Sequence, residues 1–199
     1  KNGNRYKRDF GVPEDSAQEN FTDPDSRIMK RAGGGFDQCY NGQTAVDANA
    51  QIIVAAELSN CAADSVQLPA MLAAVDANLG AAPDQALADA GYRAEAVFAQ
   101  LAAHSTEVLV SLGREGRDTV KMDAKANPYT AAMAAKMATP QAQRDYRRRK
   151  AIVEAPNAWI KHVMGFRQFS MRGLEKVRAE WKLVCAALNL RRMSSLRIA

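Results

Sequence analysis

Histidine and cysteine are scarce in this 199-residue chain, with two of the first and three of the second. His104 and His162 are too few for a histidine-rich metal centre, and any Ser–His–Asp triad would have to use one of them. Cys39, Cys61 and Cys185 form no CxxC pair, which argues against a zinc ribbon. Their odd number and wide spacing read as reduced thiols in a cytosolic protein. Long apolar runs are missing too: nothing approaches the roughly 20 residues of a membrane-spanning helix, so no membrane partner is expected. Positive charge is missing from one region. Residues 32–112 hold a single base, Arg93, against nine acids.

The cations lie elsewhere. Residues 113–199 carry nineteen bases and seven acids, net +12, and residues 1–31 carry seven and six. A basic half of this size suits a polyanion, with nucleic acid first. The acidic half supplies metal-binding carboxylates or an ordinary acidic surface. The hydrophobic fraction of 47% and the length suit one soluble domain with a sizeable core.

Residues 1–35 are polar and carry Pro13, Pro24 and the run Gly33–Gly35, so they read as a poorly ordered N-terminal segment. Asp23 and Asp25 favour local turn hydrogen bonds there. From Phe36 the pattern changes. Residues 38–46 and 51–58 read as two strands of an antiparallel hairpin, with Asn41 and Gln43 on one face. Asp64 or Ser65 is placed to cap a helix that runs to Leu79 and stops at Gly80. Residues 85–92 form a short strand that ends at Asp89, either an acid in the crevice at a strand's carboxyl end or an N-cap for the next helix. A helix over 95–103 and a strand over 107–112 follow. A charged insertion at about 113–140 includes a short Ala/Met helix from Pro128 to Met137. A last helix over 172–192 buries Leu174, Val177, Trp181 and Leu188.

Between these lies the most informative stretch, Tyr146 to Lys161. Wound as a helix, it puts Arg147, Lys150, Glu154 and Lys161 on one stripe. A lone acid among cations can hold a metal ion while the bases grip phosphate; the plainer reading is a solvated face with Lys150 and Glu154 as an i,i+4 pair. Pro156 removes one helical hydrogen bond, which costs roughly 3 kcal/mol or kinks the helix beside Glu154.

The blocks Asn20–Lys30, Tyr40–Gln43, Leu87–Tyr92, Arg149–Glu154 and Gly165–Phe169 with Arg172–Trp181 together resemble bacterial insertion-sequence transposases of the DDE type. The resemblance implies an α/β, RNase H-like catalytic domain over 36–193, with a mixed sheet flanked by helices and a tail at 194–199. It implies DNA as partner, a homodimer in the DNA complex, and a cytoplasmic, nucleoid-associated enzyme. It implies two Mg²⁺ ions held by three carboxylates. By position Asp89 resembles the second carboxylate and Glu154 the third. Glu154 and Lys161 keep the family's six-residue separation; Tyr146 and Arg149 or Lys150 approximate the rest of its late-helix signature. Arg147, Arg149, Lys150 and Lys161 are the expected DNA contacts.

Two departures stand out. No residue matches the first-strand Asp, so the chain reads as a C-terminal piece that lacks its first strand and performs no strand transfer alone. Ala155 stands between Glu154 and Pro156, where the family has Pro directly after Glu. A non-catalytic DNA-binding remnant and a purely structural α/β protein are the other readings.

Overall fold

A computed structural model describes residues 19–31, 34–113 and 123–196. It is a mixed α/β structure, with three small two-stranded sheets and five α-helices among the described residues. The single mixed sheet expected from the sequence is divided here into an N-terminal hairpin, a second antiparallel hairpin and a parallel pair.

The N-terminal hairpin corrects the expectation of a poorly ordered segment over 1–35. β1 (Arg27–Lys30) pairs antiparallel with β2 (Phe36–Cys39). Residues 1–18, 32 and 33 of that segment lie outside the described residues. These strands are short and largely exposed, so no hydrophobic alternation announces them. Distant contacts made by the preceding turn help fix it. Asp23 accepts from the Tyr40 hydroxyl at 2.7 Å and from the Gly173 N–H at 3.1 Å. Asp25 accepts from the Leu174 N–H at 2.9 Å. Both acids thus serve the amino end of the last helix, where unpaired N–H groups attract carboxylates.

The second hairpin is the predicted one. β3 (Asn41–Val46) pairs antiparallel with β4 (Ile53–Ser59), and the register shifts between Ala45 and Val46. The expected strand over 38–46 is therefore two strands divided at Tyr40. α1 (Leu68–Leu79) buries Leu68, Met71, Leu72 and Val75 and ends at Gly80 in the left-handed conformation, φ 71°. Its N-cap is Gln67 with no side-chain capping bond, so neither Asp64 nor Ser65 caps it.

β5 (Gln85–Ala88) and β6 (Glu107–Val110) pair in parallel, linked through α2 (Glu95–Leu101). Leu109 and Val110 are fully buried. Val110, with Val108, packs in a core with Leu72, Phe98, Leu101 and Met133 of the surrounding helices. α3 (Pro128–Met137) is anchored by Glu95, which accepts from the Tyr129 and Thr130 N–H groups at 2.8 Å each. Burial alone would raise the Glu95 pKa; its hydrogen bonds from Thr130 and the two backbone N–H groups outweigh this and lower it.

α4 (Pro140–Ala158) opens with Thr139 capping the Ala142 N–H and runs unbroken through Pro156, whose side chain is buried. It then widens into a π-turn over Trp159–Val163. α5 (Leu174–Leu196) extends into the stretch expected as a tail. α5 lies along the second hairpin. The Asn189 amide bonds both the N–H and the C=O of Ile53 at 2.8 Å, as a neighbouring strand would. Trp181 donates to the Gln43 carbonyl at 3.3 Å and packs so closely on Gly42 that a Cβ there would sit 3.3 Å from its ring.

Candidate active site

The polar centre of the molecule begins with a strand's alternation. Asn41 and Gln43 are two apart on β3, so their side chains share a face. Two amides on one face need an acceptor, and Asp64 supplies it from the short 3-10 turn after β4. Its Oδ1 accepts from Asn41 Nδ2 at 2.7 Å and from Gln43 Nε2 at 2.8 Å. Gln43 is buried, and the Tyr92 hydroxyl donates to its Oε1. Burial first, then the charges of Asp64 and Asp89, raises the Tyr92 pKa, so the phenol stays a protonated donor at neutral pH.

Asp89 stands at the carboxyl end of β5, as expected. It is exposed, and its Oδ1 accepts from the Gly91 N–H at 2.8 Å. It therefore caps the 3-10 turn Ala90–Tyr92 rather than the helix that follows. A Cβ on Gly91 would lie 3.0 Å from both Asp64 Oδ2 and Asp89 Oδ1. Glycine leaves room there for two carboxylates to converge. Gln43 Nε2 also donates to Asn41 Oδ1 at 2.8 Å, so the two amides satisfy each other as well as Asp64. Asp64 is the residue sequence reasoning missed in this role, and the signal available was the pair of amide donors on one face of β3.

α4 joins this region through its first half. The Tyr146 hydroxyl donates to the Ala88 carbonyl at 3.1 Å, directly before Asp89. Arg149 lies over the Tyr146 ring at 5.5 Å, and its buried Nε has no hydrogen-bond partner among the described residues. Glu154 lies eight residues beyond Tyr146, ~12 Å along the helix axis, and is exposed. Arg147, Lys150 and Lys161 are exposed as well. Asp89 and Glu154 thus belong to elements that touch each other, and the contact is made at Tyr146.

Oxygen donors of this kind suit a hard divalent cation. The count is incomplete: among the described residues, no group of three or more His, Cys, Asp or Glu is gathered to hold a metal ion. The chain fits such an ion in donor type and in the Asp64–Asp89 convergence, with Glu154 outside that pair.

Residues 111–194 match the family model described as Transposase DDE domain. The match supports a DDE transposase domain, the family that the sequence motifs resemble. It spans from the end of β6 through α5, 84 of the 199 residues, and includes Glu154 but not Asp89. The match points to a transposase-type domain over these residues, less than half of the chain. No curated protein and no solved structure gives a significant match. No helix among the described residues is long and apolar enough to cross a membrane.

Proposed function

We propose that this chain is a DNA transposase catalytic domain of RNase H-like type, built for two-Mg²⁺ phosphoryl transfer, with Asp89 and Glu154 as two of its metal ligands. The observation that carries the proposal is the family match across α4, which holds Glu154, together with the contact from that helix to the residue before Asp89. Bound Mg²⁺ supplies Lewis-acid activation of an attacking oxygen and stabilisation of a leaving one.

The chain's own residues supply the rest. Asp89 and Glu154 offer hard oxygen ligands. Asp64 has Oδ1 committed to Asn41 and Gln43, and the Tyr92 hydroxyl ties the turn after Asp89 to the same Gln43. Arg147, Lys150 and Lys161 offer exposed cations along the Glu154 stripe for DNA phosphates, and Arg149 adds a guanidinium beside Tyr146. No part of this chemistry requires histidine or cysteine.

With no residue assigned as the first carboxylate, DNA binding without strand transfer is expected of this chain. The test is a strand-cleavage and strand-transfer assay on DNA with Mg²⁺, run beside a metal-binding titration. Metal binding lost in both Asp89→Asn and Glu154→Gln supports the ligand assignment. Strand transfer by the chain that is unchanged in both variants overturns it.

A further inference from the structure

The α4–α5 junction holds a second built feature. A small open cleft of about 70 Å³ is lined by Pro156 and Trp159 of α4 and its π-turn, by Leu188, Arg191 and Arg192 of α5, and by Gln51. Trp159 keeps 37% of its surface exposed and carries the Arg191 guanidinium over its ring at 4.4 Å. Arg192 is held by its Nε at 2.7 Å from the Ala50 carbonyl, and Ser195 adds a hydroxyl to the lining. Gln51 is the only non-glycine residue at positive φ among the described residues, at 57°, and its amide donates to the Ala151 carbonyl at 2.9 Å. Such backbone strain persists where neighbouring structure enforces it and clusters at ligand sites.

From these observations we infer that the cleft binds one unstacked nucleotide of a DNA strand, the base against Trp159 and its phosphate against Arg191 and Arg192. The chemistry favours this occupant. An aromatic face stacks any base, and a guanidinium beside it serves both the ring and a phosphate. The apolar lining from Pro156 and Leu188 suits a flat base edge. The π-turn matters as well: such widenings occur often at functional sites, and this one carries Trp159. Arg148, Ala155 and Trp159 are seven and four residues apart on one face of α4, so a strand leaving the cleft meets a further cation. That face neighbours the Glu154 stripe. The inference rests on the transposase reading for its choice of DNA, but needs no metal.

The experiment is a fluorescence-anisotropy titration of the chain with labelled single-stranded oligothymidine in EDTA, repeated across salt concentrations. Trp159→Ala is expected to weaken binding about 5-fold or more, the low end of what one lost base stack costs. Trp159→Phe should keep most of the affinity. Arg191→Gln should weaken binding and flatten the salt dependence by roughly 0.7 in log–log slope. Circular dichroism of each variant separates loss of the cleft from loss of the fold, and Trp159→Phe with Arg191→Gln decides the matter if Trp159→Ala misfolds. Wild-type affinity in both Trp159→Ala and Arg191→Gln overturns the cleft assignment and leaves the transposase reading standing. No binding by the wild-type chain sinks both. Binding that depends on the cleft in a chain that fails the metal titration keeps the nucleotide site and removes the catalytic assignment.

Discussion

The acidic and basic stretches of this chain deploy their charge in different ways. In the acidic stretch the key carboxylates sit in tight turns after strands, and neighbours fix them: Asp64 by two amides, Asp89 by the backbone of its own turn. In the basic stretch Arg147 and Lys150 lie exposed on α4 and Lys161 on the π-turn that continues it. Fixed acids suit a cation that needs defined ligands. Exposed bases suit a polyanion that approaches from solvent and is held mainly by charge. In the proposed function the difference corresponds to two tasks, metal binding by Asp89 with Glu154 and grip on phosphate by the bases beside Glu154.

The largest expected effect tests whether the two stretches are one structure. Trp181 joins α5 to the β3–β4 hairpin through Gly42, the Gln43 carbonyl and the rings of Phe166 and Phe169. Trp181→Ala is expected to cost about 3–5 kcal/mol, read as a lowered midpoint in denaturant unfolding. A loss below about 1 kcal/mol, within the reach of ordinary surface changes, would mean that the hairpin and α5 are stable independently.

A smaller effect comes from the fixed acids. Tyr92→Phe removes the hydroxyl that satisfies buried Gln43 Oε1, and is expected to cost about 1–3 kcal/mol. Unchanged unfolding in this variant would show that the polar network is not what holds the Asp89 turn. On the basic side, Arg147→Ala should leave stability within about 0.5 kcal/mol. It should reduce the salt slope of duplex DNA binding by roughly 0.9. A stability loss there with no change in slope would reverse the assignment of that face.

The smallest effect is a pH dependence. Glu95 and Glu180 have lowered pKa values: burial opposes the shift, and hydrogen bonds from Thr130 with Tyr129, and from Ser170 with Met171, outweigh it. A lowered folded-state pKa contributes stability that is fully present above the ordinary value of 4.5 and is lost as pH falls through the folded value. Acid unfolding should therefore become shallower in Glu95→Gln and Glu180→Gln, both compared with the parent chain below pH 4.5. An unaltered pH profile would remove these two caps as acid-sensitive points.

Much of the element order was legible because it rests on local patterns. The turn after Val46, the stripe Leu68–Leu72–Val75 with Gly80 behind it, and the valine-rich β6 each announce themselves within a few residues. Asp89 was legible for the same reason, as an acid directly after an apolar strand. What was not legible depends on partners far away in the chain. β1 and β2 lack alternation, and the turn before them is tied by Asp23 and Asp25 to residues about 150 positions later. Asp64 looks like a helix cap until the fold brings Asn41 and Gln43 to it. Pro156 reads as a breaker, yet the helix continues through it and the widening comes three residues on, at Trp159.

The central claim is that Asp89 and Glu154, from the two stretches, serve one divalent ion site. Mn²⁺ binding to the chain, followed by the loss of the free-ion electron paramagnetic resonance signal, tests it most directly. Saturable binding that both Asp89→Asn and Glu154→Gln abolish is the predicted result. Binding that survives both substitutions, or that only one of them weakens, would contradict it.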